Sequence, residues 1–212
     1  RGVDVPTEAY PSTESASRIE SALFDSWVGR SEEAYSRLQW VATGERLTED
    51  TFQHYRDVGG WVIMHGRAEE MNAWVVSQPD VIAASDGIPF SEGRAHPRGA
   101  GTFARILGHY VRERGVLSLM DALGKMTVLP ARRLESVSPQ MAAKGRVQVG
   151  ADADLTLFDP DRVIDRATYA APDRYSEGIL HVLVGGTFVV RDEALVEGVT
   201  PGQAIRGKRP QS

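Results

Sequence analysis

Residues 81–87 read Val-Ile-Ala-Ala-Ser-Asp-Gly, a short apolar run that ends in a serine, an aspartate and a glycine. Such a run predicts a buried strand, and a carboxylate at the carboxyl end of a parallel strand lies where (β/α) barrels build their active sites. The same three residues are also ordinary turn residues after any strand. The segment therefore favours a parallel α/β fold and makes Asp86 a candidate functional residue, with a plain turn as the alternative.

The loop after this predicted strand is polar and rich in glycine. It covers residues 91–101, contains His96 and Arg98, and leads into a helix near Thr102. The loop is therefore expected at the same end of the sheet as Asp86. An arginine in that place can hold a carboxylate through two parallel hydrogen bonds, although a loop arginine can equally face water.

Apolar runs alternate with helical periodicity over residues 3–134. The runs at 3–5, 61–64 and 81–84 predict three strands of one parallel sheet, because alternating strands and helices form βα units. Beyond this part the pattern changes to short strands, including a hairpin whose turn is Gly185-Gly186. We therefore expect an α/β part followed by a smaller β part.

Three helices are predicted from their ends and their apolar spacing. Thr48 predicts the start of one helix, which Gly59 ends, and Ser118 predicts the start of another. Between them, five apolar residues recur at the spacing of one buried helical face. They are Phe103, Ile106, Leu107, Tyr110 and Val111. These residues indicate a core and carry no functional signal.

The composition is that of an ordinary globular protein, with 42% hydrophobic and 25% charged residues. The absence of cysteine excludes disulfides, thiolate metal sites and cysteine nucleophiles. The net charge is −5 and the basic run at 206–209 is short, so we expect no nucleic-acid partner. Apolar stretches fall well short of the roughly 18 uncharged residues of a membrane helix, and the first residues contain no apolar signal segment. We therefore expect no membrane partner and a cytoplasmic location.

A resemblance to one known family rests on short motifs that occur in the same order along nearly the whole chain. Two of them are Ser85-Asp86-Gly87 and His96-Pro97-Arg98. The others lie at 8–11, 18–25, 101–113, 125–134, 144–154, 157–160 and 175–179. Together they resemble the C-terminal half of the N-acyl-D-amino-acid deacylases (D-aminoacylases) of the amidohydrolase superfamily.

The resemblance implies a metal-dependent (β/α)8 TIM-type barrel with an appended small β-sandwich. Residues 1–140 would be the C-terminal part of the barrel, about strands 6–8 with their helices, and residues 141–212 the sandwich. The implied reaction is hydrolysis of the amide bond of an N-acyl-D-amino acid, with zinc polarising the scissile carbonyl and activating water. Asp86 would ligate the weaker metal position, take a proton from the attacking water and pass it to the leaving amine.

The resemblance also assigns residues to the small-molecule substrate. Arg98 matches the family position that binds the α-carboxylate, and Tyr10 matches one that contacts substrate or steadies the developing oxyanion. His96, in the same loop as Arg98, is a third substrate-binding candidate. Residues 10–16 depart from the family pattern Tyr-Pro-Tyr-Thr-Ala-Gly-Ser, since the second tyrosine, the glycine and a serine that can touch substrate are replaced.

The metal ligands are incomplete in this sequence. No two of the five histidines have the i, i+2 or i, i+4 spacing that chelates one metal, and a catalytic zinc needs about three protein ligands. The resemblance places the remaining ligands upstream of residue 1. We therefore expect one or two zinc ions and a missing N-terminal half of the barrel, in the same polypeptide or as a separate chain. His65 could be recruited as a new ligand, with a satisfied strand-end histidine as the alternative.

Two other functions stay open at this point. One is hydrolysis of a cyclic amide, as in hydantoinases or dihydropyrimidinases, against which Arg98 argues because such rings need not carry a free α-carboxylate. The other is a truncated, non-catalytic scaffold in which Asp86 is only a turn residue.

Overall fold

The computed structural model describes residues 5–90 and 93–208. The strands are Thr7–Ala9 (β1), Ser15–Arg18 (β2), Leu38–Trp40 (β3), Trp61–Met64 (β4), Val81–Ala83 (β5), Leu155–Phe158 (β6), Ile179–Val184 (β7), Thr187–Arg191 (β8) and Ala194–Leu195 (β9). The α-helices are Glu32–Ser36 (α1), Glu49–Val58 (α2), Glu69–Ser77 (α3), Arg98–Arg105 (α4), Leu119–Met126 (α5) and Val128–Glu135 (α6). A π-helix at Ile106–Glu113 continues α4, and 3-10 helices lie at Ala22–Trp27 and Pro139–Ala143.

Strands β1 and β5 pair in parallel, with Thr7 opposite Val81 and Ala9 opposite Ala83. The strand predicted at 81–84 is confirmed. The strand predicted at 3–5 falls mostly on residues 1–4, outside the described residues, and the observed strand begins at Thr7. Because parallel strands end at the same edge of a sheet, the residues that follow β1 and β5 lie side by side.

The prediction that 61–64 belongs to the parallel sheet is wrong. Strand β4 lies between β2 and β3 in a separate antiparallel sheet, with Ala16 opposite Ile63. Val62 and Ile63 are both buried and pack in two different hydrophobic clusters, one on each side of the sheet. A continuous apolar run indicates burial on both faces and says nothing about strand direction.

The predicted helix ends are confirmed. Thr48 and Thr51 exchange hydrogen bonds between side chain and backbone at the start of α2, and Gly59 follows the helix with a φ of 75°. Ser118 accepts the backbone N–H of Asp121 at 3.1 Å and caps α5.

The predicted buried face over 103–111 holds except at Phe103. Ile106, Leu107 and Tyr110 are buried, whereas Phe103 is 48% exposed. Phe103 precedes the π-helix, whose i→i+5 hydrogen bonds change the number of residues per turn. The buried face of the π-helix is therefore not aligned with Phe103, because the α-helical spacing used for the prediction does not hold from Ile106 onward.

Strands β6 to β9 form one antiparallel sheet in sequence order. The hairpin between β7 and β8 turns at Gly185-Gly186 as predicted, with φ values of 55° and 79° that favour glycine. Over the described part of the chain the fold thus mixes helices with parallel and antiparallel strands. No described helix is both long and apolar enough to cross a membrane.

The segment that follows β6 packs closely on α4 and the π-helix because two glycines leave room for it. A Cβ atom at Gly101 would come within 2.9 Å of the Asp165 Cβ, and one at Gly108 within 2.5 Å of the Val163 carbonyl oxygen. Val163 lies in the same buried cluster as Ile106. Residues on both sides of the predicted boundary at 140 therefore share a core, and the boundary itself stays a prediction.

Candidate active site

Asp86 follows β5 at the edge of the parallel pair, as predicted. Its backbone has a φ of 49°, in the left-handed region that aspartate tolerates better than most residues. Its side chain is 60% exposed, so the carboxylate faces the outside of the fold. Gly87 lets the next loop approach, because a Cβ at this position would lie 3.1 Å from the Gly99 Cα.

Arg98 begins α4 and is held by Asp86 at two points. Its Nη2 atom lies 2.6 Å from the Asp86 Oδ2, and its Nε donates to the Asp86 backbone carbonyl at 2.7 Å. The Arg98 side chain is only 2% exposed. Its third nitrogen, Nη1, is buried without a hydrogen-bond partner among the described residues. A buried charged donor that is left unpaired is costly, which marks Nη1 as a donor that needs an acceptor.

Tyr10 follows β1 and lies over Arg98. The guanidinium carbon is 4.2 Å from the centre of the tyrosine ring, a cation–π distance. A second arginine, Arg67, donates to the Tyr10 hydroxyl at 3.3 Å. Tyr10 therefore lies between two guanidinium groups, of which sequence reasoning identified only Arg98.

His96 lies behind Arg98 and is completely buried. Its Nδ1 accepts the backbone N–H of Arg98 at 3.1 Å. Burial in the first place, and the positive charge of Arg98 in the second, lower the pKa of His96 to about 3. His96 is therefore neutral, and it supports Arg98 from within the protein.

A cavity of about 270 Å3 opens beside Arg98. It is bounded by residues 11–14, the start of α4 and residues 165–169. Arg105 lines it and donates from Nε to the Pro11 carbonyl at 2.8 Å, next to Tyr10. Sequence reasoning missed Arg105 because a helical arginine without a turn or motif beside it is normally a surface residue.

His65 follows β4 and has two polar neighbours. Its Nε2 lies 2.9 Å from the Gln39 Oε1, and its Nδ1 lies 3.6 Å from the Glu14 Oε1. This arrangement agrees with a satisfied strand-end histidine. Within residues 5–90 and 93–208, no group of three or more histidine, aspartate or glutamate side chains is arranged to hold a metal ion. The structure thus brings Asp86, Arg98, Tyr10 and His96 together, and His65 is linked to them through the Tyr169 ring, which contacts both histidines.

Comparison with known proteins fits this arrangement. A sequence model of the amidohydrolase family matches residues 18–190, which is most of the chain. This chain belongs to the amidohydrolase family. The resemblance to its D-aminoacylase members, drawn from the motifs, is confirmed by the relatives that follow.

Three of these amidohydrolases are similar to the chain in sequence or structure. The N-acyl-D-glutamate deacylase of Alcaligenes xylosoxydans xylosoxydans is 49% identical over 108 residues, which cover 51% of this chain and 21% of that protein. A crystal structure of D-aminoacylase matches with a TM-score of 0.78 and 30% identity, over 96% of this chain and 43% of that one. The N-acyl-D-glutamate deacylase from Bordetella bronchiseptica, solved with zinc and a phosphonate inhibitor, matches with a TM-score of 0.75 and 30% identity, over 92% and 43%. The chain therefore spans less than half the length of these relatives.

Proposed function

We propose that the full-length protein is a zinc-dependent amidohydrolase that hydrolyses the amide bond of N-acyl-D-amino acids. The observation that carries this proposal is the juxtaposition, at one edge of the β1/β5 pair, of the exposed Asp86 carboxylate and the buried Arg98 guanidinium 2.6 Å away. The Asp86 carboxylate can transfer a proton, and the Arg98 guanidinium can bind a substrate carboxylate. Relatives named for D-aminoacylase and N-acyl-D-glutamate deacylase support the same chemistry.

Asp86 fits the part of one metal ligand. Zinc accepts carboxylate oxygens together with histidine nitrogens, and the Asp86 side chain is exposed at the carboxyl end of a strand. The described residues supply no complete ligand set, so further ligands would come from other parts of the full-length barrel. When bound, one or two zinc ions would polarise the scissile carbonyl and make water more acidic.

The proton path in this proposal runs through Asp86. Its carboxylate takes a proton from the attacking water and passes it to the leaving amine, since the nitrogen must be protonated to leave. The ion pair with Arg98 fixes the direction of the carboxylate during this transfer. A positioned acid–base group of this kind contributes about 10²- to 10⁴-fold to the rate.

The substrate carboxylate would bind the Nη1 atom of Arg98, which is buried and has no hydrogen-bond partner among residues 5–90 and 93–208. Tyr10, stacked on the guanidinium, contacts the substrate or steadies the oxyanion that develops on the scissile carbonyl. His96 is completely buried, so it takes part in substrate binding by holding the backbone of Arg98 and not by direct contact.

We also propose the finer fold, in which residues 1–140 are the C-terminal part of a (β/α)8 barrel and residues 141–212 are a small β-sandwich. Because β1 and β5 pair directly, they would be neighbouring strands, the seventh and the eighth of that barrel. The antiparallel sheet from β6 to β9 would be one layer of the sandwich. The remaining barrel strands would come from the N-terminal half, as part of the same polypeptide or as a separate chain.

The deciding experiment uses the full-length protein, prepared with zinc and assayed for release of the free amino acid from N-acetyl-D-glutamate and N-acetyl-D-methionine, and for ring opening of a hydantoin to the N-carbamoyl amino acid. We expect hydrolysis of the N-acyl-D-amino acids, its loss with a chelator and its return with added zinc. Hydrolysis of the hydantoin alone would establish the cyclic-amide function instead. A zinc-loaded protein that hydrolyses none of these would support the non-catalytic scaffold.

A further inference from the structure

Residues 165–169 of the C-terminal part lie against the candidate site. Gly101 gives them room to approach α4, and the Asp165 carboxylate lies 3.7 Å from the Arg105 guanidinium. Tyr169, at the end of this segment, reaches across to the loop after β1. There its hydroxyl donates a hydrogen bond to the Glu14 carboxylate.

Glu14 is the centre of a small, partly buried cluster, the Glu14 cluster, formed with Thr13, His65 and Tyr169. The Thr13 hydroxyl donates to the same oxygen as Tyr169, at 2.6 Å, and the other oxygen faces the His65 ring. Glu14 lies four residues after Tyr10. The cluster therefore ties the loop that carries Tyr10 to the C-terminal segment.

Glu14 and Tyr169 keep their protonation states near neutral pH. Burial by itself raises the pKa of Glu14, but the hydrogen bonds from His65, Thr13 and Tyr169 outweigh it and lower that pKa to about 2. Burial and the hydrogen bond to Glu14 both raise the pKa of the Tyr169 phenol. Glu14 thus remains an acceptor and Tyr169 a donor.

Tyr169 also covers His96. The two rings meet edge to face, with centres 5.3 Å apart and planes at 77°. The ionisable groups around His96 are Arg98 in its own loop, Glu14 after β1, His65 after β4 and Tyr169 itself. Protonation of His96 would place a hydrogen on Nδ1, and the backbone N–H of Arg98 would then face a donor in place of an acceptor.

We propose that Tyr169 and Glu14 are positioning residues that shield His96 from water. The shielded His96 Nδ1 continues to accept the hydrogen bond from the backbone N–H of Arg98, and this bond holds Arg98 in place for the substrate carboxylate. This inference rests on the proposed function. Glu14 anchors the phenol, Tyr169 covers the imidazole, and His96 sets the first turn of α4. The C-terminal segment thereby acts on substrate binding without touching the reacting atoms.

The test is Tyr169→Ala in the full-length zinc enzyme, with KM and kcat for an N-acyl-D-amino acid measured between about pH 5 and pH 8. In the variant the charge of Arg98 remains, so the pKa of His96 should rise from about 3 towards its ordinary value of about 6.5 without reaching it. At a pKa of about 6.5 only about 3% of the histidine would be neutral at about pH 5, which sets an upper limit of about 30-fold. We expect the ratio of variant KM to wild-type KM to rise several-fold, below that limit, from about pH 8 to about pH 5. The kcat ratio should change far less.

Three further variants separate positioning from simple support of the fold. Tyr169→Phe and Glu14→Ala each remove the hydrogen bond that anchors the ring but leave an aromatic ring at position 169, so both should show the pH-dependent rise at a smaller size than Tyr169→Ala. The rise in Glu14→Ala should be the smaller of the two, because the Glu14 charge that it removes favours protonated His96. Either variant keeps the test decisive if Tyr169→Ala does not fold. Tyr175→Ala removes an exposed tyrosine six residues further along the chain and should leave the profile unchanged.

A second readout does not depend on activity. Nitrogen-15 NMR of the His96 ring in the full-length protein should show a neutral imidazole at about pH 5 in the wild type and a higher His96 pKa in Tyr169→Ala. A KM ratio that stays flat with pH, or a His96 ring with the same titration in both proteins, would overturn the inference. An inactive wild type with the expected NMR difference would instead refute the proposed function and leave the shielding by Tyr169 established.

Discussion

The replacement Arg98→Lys tests whether the buried guanidinium recognises the substrate carboxylate. In the structure Arg98 uses two nitrogens on Asp86 and stacks on Tyr10, and its Nη1 has no partner in the described part of the chain. A lysine has one nitrogen on a flexible stem and cannot make these contacts and still present a donor in a fixed direction. We therefore expect the variant to keep at most the contact with Asp86 and to lose the contact with the substrate.

The size of the loss follows from the number of contacts removed. One hydrogen bond between charged groups is worth about 1.5 to 3 kcal/mol, and each 1.4 kcal/mol changes kcat/KM tenfold. Loss of the single Nη1 contact should therefore lower kcat/KM for an N-acyl-D-amino acid by about 10- to 100-fold. The substrate whose carboxylate is capped as an amide does not make the charged contact, so its kcat/KM should change by less than about threefold.

The assay compares these two substrates in wild type and Arg98→Lys, both prepared with zinc. The ratio of the two kcat/KM values cancels any difference in enzyme stability or metal content, because both substrates meet the same protein. Equal losses on the two substrates would refute the assignment. Arg98 would then support only the loop and Asp86, and the cyclic-amide function would become the better explanation.

Three other predictions concern the same region. Asp86→Asn should keep the fold, checked by circular dichroism, and lower kcat by about 10²- to 10⁴-fold, whereas a kcat near that of the wild type would remove Asp86 from the proton path. Gly101→Val should lower the unfolding free energy by about 1 to 3 kcal/mol in denaturant titrations, because the valine side chain would clash with Asp165. The control Gly124→Ala has open space around it and should not destabilise the protein. His96 is harder to protonate in the folded protein (pKa about 3) than in the unfolded one (6.5), so its contribution to stability is complete above pH 6.5 and declines as the pH falls towards 3. His96→Gln should therefore flatten the fall in melting temperature between about pH 7 and pH 5, and an unchanged slope would contradict this origin.

Signals that act over a few residues were readable in the sequence. The helix start at Thr48, the cap at Ser118 and the Gly185-Gly186 hairpin depend on neighbours three or four positions away, and all are present. The pairing of Asp86 with Arg98 was also within reach, because a strand end and the loop that follows it must share one edge of the sheet.

The error over 61–64 has a different origin. An apolar run shows that a strand is buried on both faces, but its direction depends on which strands flank it. Here the partners are β2, which contains two serines, and the short β3. Neither has a strong apolar pattern, so nothing local distinguished an antiparallel sheet from a third parallel strand.

The chain by itself determined the residues closest to the proposed chemistry, since Asp86, His96 and Arg98 lie within one short stretch and Tyr10 was recognised from its motif. Only the tertiary structure showed that Arg98 is buried against Asp86 and that Tyr169, far along the chain, covers His96 and pairs with Glu14. The physical reason is the range of the interactions. Caps, turns and strand ends are set by neighbouring residues, whereas burial and the protonation state of a histidine depend on which distant segments pack around it.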